Sequence, residues 1–78
     1  MKPKDQEVTY QIVKSLQVLS ANDRGWTKEV NLVSWNGREP RIDIREWNHE
    51  LNRMSKGMTL TREEATLLFK ALQEHLEA

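Results

Sequence analysis

The chain has 78 residues, enough for one small domain and no more. It contains no cysteine, which excludes disulfides, thiolate-bound zinc and a cysteine nucleophile. Twelve basic and twelve acidic residues balance, which argues against a uniformly basic protein that coats duplex DNA. The content of 31% charged and 37% hydrophobic residues is typical of a globular chain.

The N-terminal residues 1–7 are polar and are expected to be flexible, so the folded domain should occupy residues 8–78. The chain has no run of about 18 apolar residues that could span a membrane. The charged N-terminus is not followed by the apolar segment of a signal peptide. We therefore expect a cytoplasmic protein that does not associate with membranes.

Residues 8–18 predict a half-buried strand, because apolar and polar side chains mostly alternate there. The β-branched residues and Tyr10 also favour a strand. A helix remains the alternative, and its apolar stripe would consist of Ile12, Val13, Leu16 and Leu19. Residues 20–25 then supply the Asn, Asp and Gly typical of a turn.

Residues 26–35 predict a second strand, and Asn36-Gly37 is a strong hairpin signal. The third strand, residues 41–47, places Ile42 and Ile44 on one face. The opposite face carries Arg41, Asp43, Arg45 and Trp47. The polar residues 48–55 predict a loop, and residues 56–60 predict a short fourth strand.

The C-terminal segment predicts a helix that begins after Thr61 and ends near residue 76. Thr61 and Glu64 have the spacing of a capping box. The apolar stripe of the helix consists of Ala65, Leu68, Phe69, Leu72 and Leu76. Leu67 and Ala71 make it wider than one side of a small sheet can cover. The order predicts an α+β fold, a four-stranded antiparallel sheet followed by one helix.

The sequence contains no catalytic or metal-binding motif. None of the four serines lies in a G-x-S-x-G context, and no glycine-rich phosphate loop is present. His49 and His75 lack the spacing of metal ligands. Asp43 and Glu46 fall on opposite faces of one strand, which does not suit acid–base catalysis. We expect neither enzymatic activity nor a bound metal or cofactor.

The three tryptophans are the most informative residues. Trp47 shares a strand face with Arg41 and Arg45, so we expect it to be exposed, and Trp35 lies beside the hairpin turn. Exposed aromatics beside arginines suit stacking on nucleobases, with the cations on phosphates. Packing in the core remains the alternative for these rings.

Basic residues cluster in the same segments, namely Arg24, Lys28, Arg38, Arg41, Arg45, Arg53 and Lys56. Acidic residues are interleaved with them, so an ordinary solvated surface is also consistent with the pattern. Gly57 is expected to let the backbone of a ligand approach Lys56 closely.

The chain contains the stretch Ile42-Asp-Ile-Arg-Glu-Trp47, then a polar loop, then Lys56-Gly-Met-Thr-Leu60 and a terminal helix. This series resembles the positive cofactor four family of p15-type transcriptional coactivators. The resemblance extends over about residues 8–76 and is closest to short bacterial, YdbC-like members. These have similar G-W-x-K-E, V-S-W-N and D-I-R-x-W stretches. The resemblance implies a curved four-stranded sheet, a homodimer with helices at its interface, and binding of single-stranded DNA.

Position by position, the resemblance implies that Trp35 stacks on bases and that Lys28, Arg45 and Lys56 are basic site positions. Pattern and resemblance together give a nucleic-acid site of Trp26, Lys28, Trp35, Arg38, Arg41, Arg45, Trp47 and Lys56. The expected dimer interface consists of Leu67, Leu68, Ala71 and Leu72. In this chain Asn48 replaces the second aromatic found after this motif in eukaryotic members, and Val33 stands where a basic residue is common.

The resulting expectation is a nucleoid-associated homodimer that binds single-stranded DNA with little sequence preference, in transcription regulation or DNA maintenance. The transcription machinery is a further expected partner. Single-stranded RNA is the alternative ligand. The alternative from another class is a protein-interaction module whose helix and tryptophans dock a partner.

Overall fold

The computed structural model describes residues 8–77, so the expected flexible segment 1–7 lies outside the described residues. The elements are β1 (Tyr10–Ala21), β2 (Thr27–Trp35), β3 (Arg41–Asn48), β4 (Arg53–Met54), β5 (Met58–Leu60) and α1 (Arg62–Glu77). All pairs of these strands are antiparallel, in the order β1-β2-β3, and both of the short strands β4 and β5 pair with β3. The predicted α+β fold, an antiparallel sheet followed by one helix, is confirmed.

The strand boundaries differ from the prediction in three places. The segment 48–55, predicted as a loop, contains β4, whose two residues pair with Trp47 and Asn48. The last strand begins at Met58 rather than at residue 56, and β1 continues to Ala21. A two-residue strand is too short to leave an alternating pattern, which is why the sequence did not reveal β4.

The predicted hairpin turn is present after β2. Asn36 and Gly37 both have positive φ angles, of 53° and 74°. The backbone N–H of Arg38 donates to the carbonyl of Trp35 at 2.9 Å and closes the turn. Two positive φ angles in the centre are typical of the type I′ turn that Asn-Gly favours.

Irregular pairing of β1 bends the sheet. The ladder between β1 and β2 shifts register three times, leaving Val13, Leu16 and Leu19 as extra residues in β1. Each bulge increases the local twist and bends the strand. Tyr10 and Trp47 come from distant parts of the sheet, yet their ring centroids are only 5.2 Å apart. The side of the sheet on which they meet is therefore concave.

This concave face is the more buried side of the sheet. Val33 and Trp47 are buried on it, together with the polar Glu29, Asn31 and Asp43. On the opposite, convex face the apolar side chains are only half-buried, namely Val30, Leu32, Ile42 and Ile44. The expectation that the face with Trp47 is the exposed one is therefore wrong, because curvature closes that face.

Asn48 is also buried and joins two loops. Its side-chain amide donates to the carbonyl of Arg24 at 3.1 Å. Its side-chain oxygen accepts from the backbone N–H of Leu51 at 3.0 Å. The β1–β2 turn is thereby fixed to the loop that follows β3.

The predicted capping box begins α1. The backbone N–H of Glu64 donates to the hydroxyl of Thr61 at 3.1 Å, and the Glu64 carboxylate accepts from the backbone N–H of Thr61 at 2.8 Å. Within the described chain no α1 side chain is fully buried, and Ala65 alone is half-buried. Most of the predicted apolar stripe of this helix is therefore exposed rather than packed on the sheet.

Within the described residues 8–77, no helix has the length and apolar character needed to cross a membrane. The same residues contain no cluster of three or more His, Cys, Asp or Glu side chains that could hold a metal ion.

Candidate nucleic-acid interface

Trp35, the last residue of β2, is supported by side chains from two other strands. The guanidinium carbon of Arg45 lies 4.6 Å from the centroid of the Trp35 ring. The ring of Tyr10 lies 5.7 Å from it, tilted by 50°. A cation over an indole face is attracted by the ring quadrupole. Trp35 is therefore held in place while its side chain stays partly accessible.

A cavity of about 330 Å³ opens beside this ring. It brings together three of the predicted site residues, because Trp35, Arg38 and Arg41 all line it, together with Glu39 and Thr59. Both Arg38 and Arg41 are exposed. An accessible aromatic ring next to two exposed cations is the combination with which proteins commonly bind single-stranded nucleic acids.

Arg45 is a positioning residue, because its guanidinium is directed into the protein. Its Nε and Nη2 donate to the two carboxylate oxygens of Asp43, at 2.6 and 2.8 Å. Its Nη1 donates to the carbonyl of Ser55 at 3.2 Å. The Arg45 side chain is only 13% exposed, and Asp43 is completely buried. Thr59 adds a hydrogen bond of 3.0 Å to the same carboxylate.

Trp47 lies beneath the surface of the concave face and is 2% exposed. Tyr10 packs against it on one side. The imidazole of His49 stacks nearly parallel to it, with an angle of 3° between the ring planes. The expectation of an exposed Trp47 beside free arginines is therefore wrong, and this ring supports its neighbours.

Glu29 is a buried carboxylate held by three side chains. It accepts from Asn31 Nδ2 at 2.9 Å, from the Thr27 hydroxyl and from His49 Nε2 at 2.9 Å. Burial would raise the pKa of Glu29, but these hydrogen bonds and the charge on His49 outweigh burial and lower it. The carboxylate therefore stays ionised below the pH at which an exposed glutamate titrates.

Lys56 is exposed in the connection between β4 and β5. The expectation that Gly57 lets the backbone of a ligand approach Lys56 is wrong, however. A Cβ on Gly57 would collide with the Cβ of Arg45 and with the carbonyl oxygen of Ile44. Gly57 is required because β3 of the same chain approaches it closely, and it does not mark the approach of a ligand.

Trp26 and Lys28 lie at the other end of β2 from Trp35. Trp26 directly precedes the strand and is half-buried. Lys28 is exposed, pairs with Glu46 and projects on the convex side by strand alternation. The structure does not bring these two residues to the cavity beside Trp35.

Tyr10 and His49 are the residues that the sequence analysis missed. Tyr10 contributed only to the strand prediction, and His49 was considered only as a metal ligand. Both touch Trp47, and Tyr10 also touches Trp35. Strand register places Tyr10 opposite Trp35, and the spacing of two residues places His49 on the same face as Trp47. The contact of Tyr10 with Trp47, in contrast, comes from the curvature of the sheet.

The four residues predicted for a dimer interface all lie on α1 and are exposed, namely Leu67, Leu68, Ala71 and Leu72. The Leu67 side chain is 66% exposed and that of Leu72 is 49% exposed. Their location on the helix keeps them apart from the cavity beside Trp35.

Comparison with known proteins gives two matches. A family model described as "Transcriptional Coactivator p15 (PC4)" matches residues 22–71 of this chain. An uncharacterized protein of Treponema pallidum (strain Nichols) is 41% identical over 59 residues, which is 76% of this chain and 69% of that protein. The matched region includes β2, β3, both short strands and the first part of the helix.

Proposed function

This chain belongs to the transcriptional coactivator p15 (PC4) family, and we propose that it binds single-stranded DNA as a homodimer with little sequence preference. The family is known for binding single-stranded DNA and for acting with the transcription machinery. Binding of exposed single strands during transcription or DNA maintenance would associate the protein with the nucleoid.

The observation that supports this proposal best is the cavity beside Trp35. A base that enters this cavity of about 330 Å³ can stack on the indole ring. Because the contacts with Arg45 and Tyr10 already hold the ring, stacking needs little further ordering of side chains. Every base has a π-face, so this contact gives affinity without sequence selection.

Phosphates would be neutralised by exposed basic side chains. Arg38 and Arg41 line the cavity, and Lys56 is a third exposed cation, in the connection between β4 and β5. Asp43 does not cancel these charges, since it is already paired with Arg45, whereas the exposed Glu39 lines the cavity and offsets one of them. About three cations at one site would give log K a slope of roughly −2 against log salt concentration.

A homodimer explains the apolar surface that one chain leaves uncovered. The exposed side chains of α1 include Leu67, Phe69 and Leu76, each more than 60% exposed. Large apolar patches on a soluble protein mark interaction surfaces. A second copy that packs against α1 would bury them and leave the concave faces of both subunits free for nucleic acid.

The test is a titration of the protein with an oligothymidylate of about ten nucleotides, followed by tryptophan fluorescence at several salt concentrations. We expect quenching, with an affinity that falls as salt rises. The Lys56→Ala variant should bind more weakly and lower the salt slope by about 0.7, the value for one single-strand phosphate contact.

The control for the titration is Lys70→Ala, which removes the same charge from exposed α1, away from the cavity. Its salt slope should equal that of the unmodified protein. No quenching at low salt would contradict DNA binding and favour the protein-interaction module. Tighter binding of the matching oligouridylate would instead identify RNA as the ligand.

A further inference from the structure

The imidazole of His49 lies just after β3, against the buried ring of Trp47. The two ring planes are 3° apart and the centroids are 5.9 Å apart, which is an offset stack. The His49 side chain is nevertheless 58% exposed. One face of the imidazole therefore contacts the protein while much of the ring remains open to solvent.

Glu29 fixes the orientation of this imidazole. His49 Nε2 lies 2.9 Å from a carboxylate oxygen of Glu29, whose side chain is 8% exposed. A carboxylate only accepts hydrogen bonds, so Nε2 is the donor. Glu29 is itself held by Asn31 and Thr27. His49 is thus ordered before any ligand arrives, which lowers the entropy lost on binding.

His49 continues a row of aromatic rings that begins at the proposed DNA site. From Trp35 the centroid distances are 5.7 Å to Tyr10, 5.2 Å from Tyr10 to Trp47, and 5.9 Å from Trp47 to His49. Tyr10 is 39% exposed and Trp47 is buried. The row therefore has accessible rings near both ends, with a buried ring between Tyr10 and His49.

We propose that His49 is a second base-stacking platform, which takes another nucleobase of the single strand whose first base stacks on Trp35. This inference rests on the proposed function and adds a subsite to it. The ligand class is a nucleobase of any identity, because stacking on an imidazole face uses the π-surface that all bases share.

Three variants of His49 distinguish a stacking platform from a structural residue. His49→Ala removes the ring and should weaken binding of a ten-nucleotide oligothymidylate by roughly five- to 150-fold, the usual value of one stacked base. His49→Phe keeps a π-face without the bond to Glu29 and should retain most of the affinity. His49→Gln keeps a donor for Glu29 without a ring and should bind as weakly as the alanine variant.

A purely structural His49 predicts the opposite order, with His49→Gln tolerated and His49→Phe impaired, and that result would overturn the proposal. The matched control is Leu51→Ala in the same loop, which removes a side chain that is 59% exposed and neither aromatic nor charged. It should bind like the unmodified protein. Thermal unfolding of each variant establishes that it is folded.

Nuclear magnetic resonance gives a second readout, because the chain has only two histidines. A base stacked on His49 should move its ring protons upfield through the ring current, while those of His75 on α1 stay unchanged. One outcome would contradict the second platform alone: the protein binds the oligonucleotide and Trp35→Ala weakens binding, but His49→Ala binds normally and the His49 ring protons of the unmodified protein do not shift. The proposed function then stands. If the unmodified protein binds no oligonucleotide, both fail.

Discussion

At the scale of single residues, the candidate site depends on side chains that support rather than touch a ligand. Arg45 places its charge against Asp43 and its planar guanidinium against Trp35. Arginine can do both at once because its rigid fork matches a carboxylate while its flat face stacks on an aromatic ring. Lysine has the charge but neither geometric property.

Trp35 should contribute to binding more than to folding. Trp35→Ala is expected to weaken oligonucleotide binding by about 1–3 kcal/mol through the loss of one stacked base, with the salt slope unchanged. Trp35→Phe should recover much of the loss. Affinity and thermal unfolding measured on the same variants test this. A core residue would instead cost about 3–5 kcal/mol of stability, and a folded variant would bind normally.

Glu29 should make stability depend on pH in the acid range. Because its pKa is lower in the folded chain than in the unfolded one, the ionised carboxylate stabilises the fold. This contribution is complete above the unfolded pKa of about 4.3 and is lost as pH falls through the lower folded value. The stability difference between the unmodified protein and Glu29→Gln should therefore shrink from pH 6 to pH 3.

Urea unfolding of both proteins at several pH values measures that difference. Comparing the two proteins subtracts the other carboxyl groups, which titrate in both. A difference that stays constant from about pH 6 to pH 3 would show that Glu29 does not have the lowered pKa.

Residue patterns predicted which side chains share a face, but not which face is covered. Alternation in β3 correctly grouped Arg45 and Trp47 together and separated them from Ile42 and Ile44. The apolar face is normally the covered one, which made Trp47 appear exposed. Curvature reversed that outcome, and the bulges that produce it are irregularities which strict alternation does not describe.

At the scale of elements, the bulges of β1 explain an ambiguity in the sequence. The helical alternative for this segment depended on apolar residues at a spacing of about three. Val13, Leu16 and Leu19 have that spacing, and they are the extra residues at the three register shifts. A regular strand cannot place every third residue on one side, whereas a strand with a repeated bulge can.

Gly57 ties β5 to β3, so its replacement should destabilise the sheet edge. Gly57→Ala would place a methyl group in collision with Arg45 Cβ and the carbonyl oxygen of Ile44, so that β3 or the connection to β5 has to shift. Overpacking of this kind costs about 1–3 kcal/mol. Thermal unfolding should show a melting temperature lower by several degrees, roughly 4–8 °C for each kcal/mol in a domain of this size.

The control for Gly57→Ala is Lys56→Ala, which changes the preceding residue of the same connection, where the side chain is exposed and no glycine is lost. This variant should unfold close to the unmodified protein. Equal melting temperatures for Gly57→Ala and the unmodified protein would contradict the close approach of β5 to β3.

At the scale of the whole molecule, local signals predicted the element order well. The capping box correctly predicted where α1 begins, and Asn36-Gly37 correctly predicted the turn after β2. Both signals consist of residues that are close together in the chain, so they can be recognised from the sequence without knowledge of the fold. The contact of Tyr10 with Trp47 depends on the shape of the entire sheet, so no local pattern could predict it.

Assembly should depend on the exposed apolar side chains of α1. Within residues 8–77 the buried hydrophobic side chains are Val33 and Trp47, whereas α1 exposes a row of leucines and a phenylalanine. A domain of this size is marginally stable alone, so a partner that covers α1 adds stability. Leu67→Glu should disrupt the proposed dimer, because an unpaired charge buried in an apolar interface costs several kcal/mol.

Sedimentation equilibrium at micromolar concentration should show a dimer for the unmodified protein and a monomer for Leu67→Glu. The matched control is Gln73→Glu, which adds the same charge on the polar side of α1 and should remain dimeric. A stable monomer of the unmodified protein would contradict the dimer. A dimer that survives Leu67→Glu would place the interface elsewhere, and the exposed bulges of β1 at Val13, Leu16 and Leu19 would be the next surface to test.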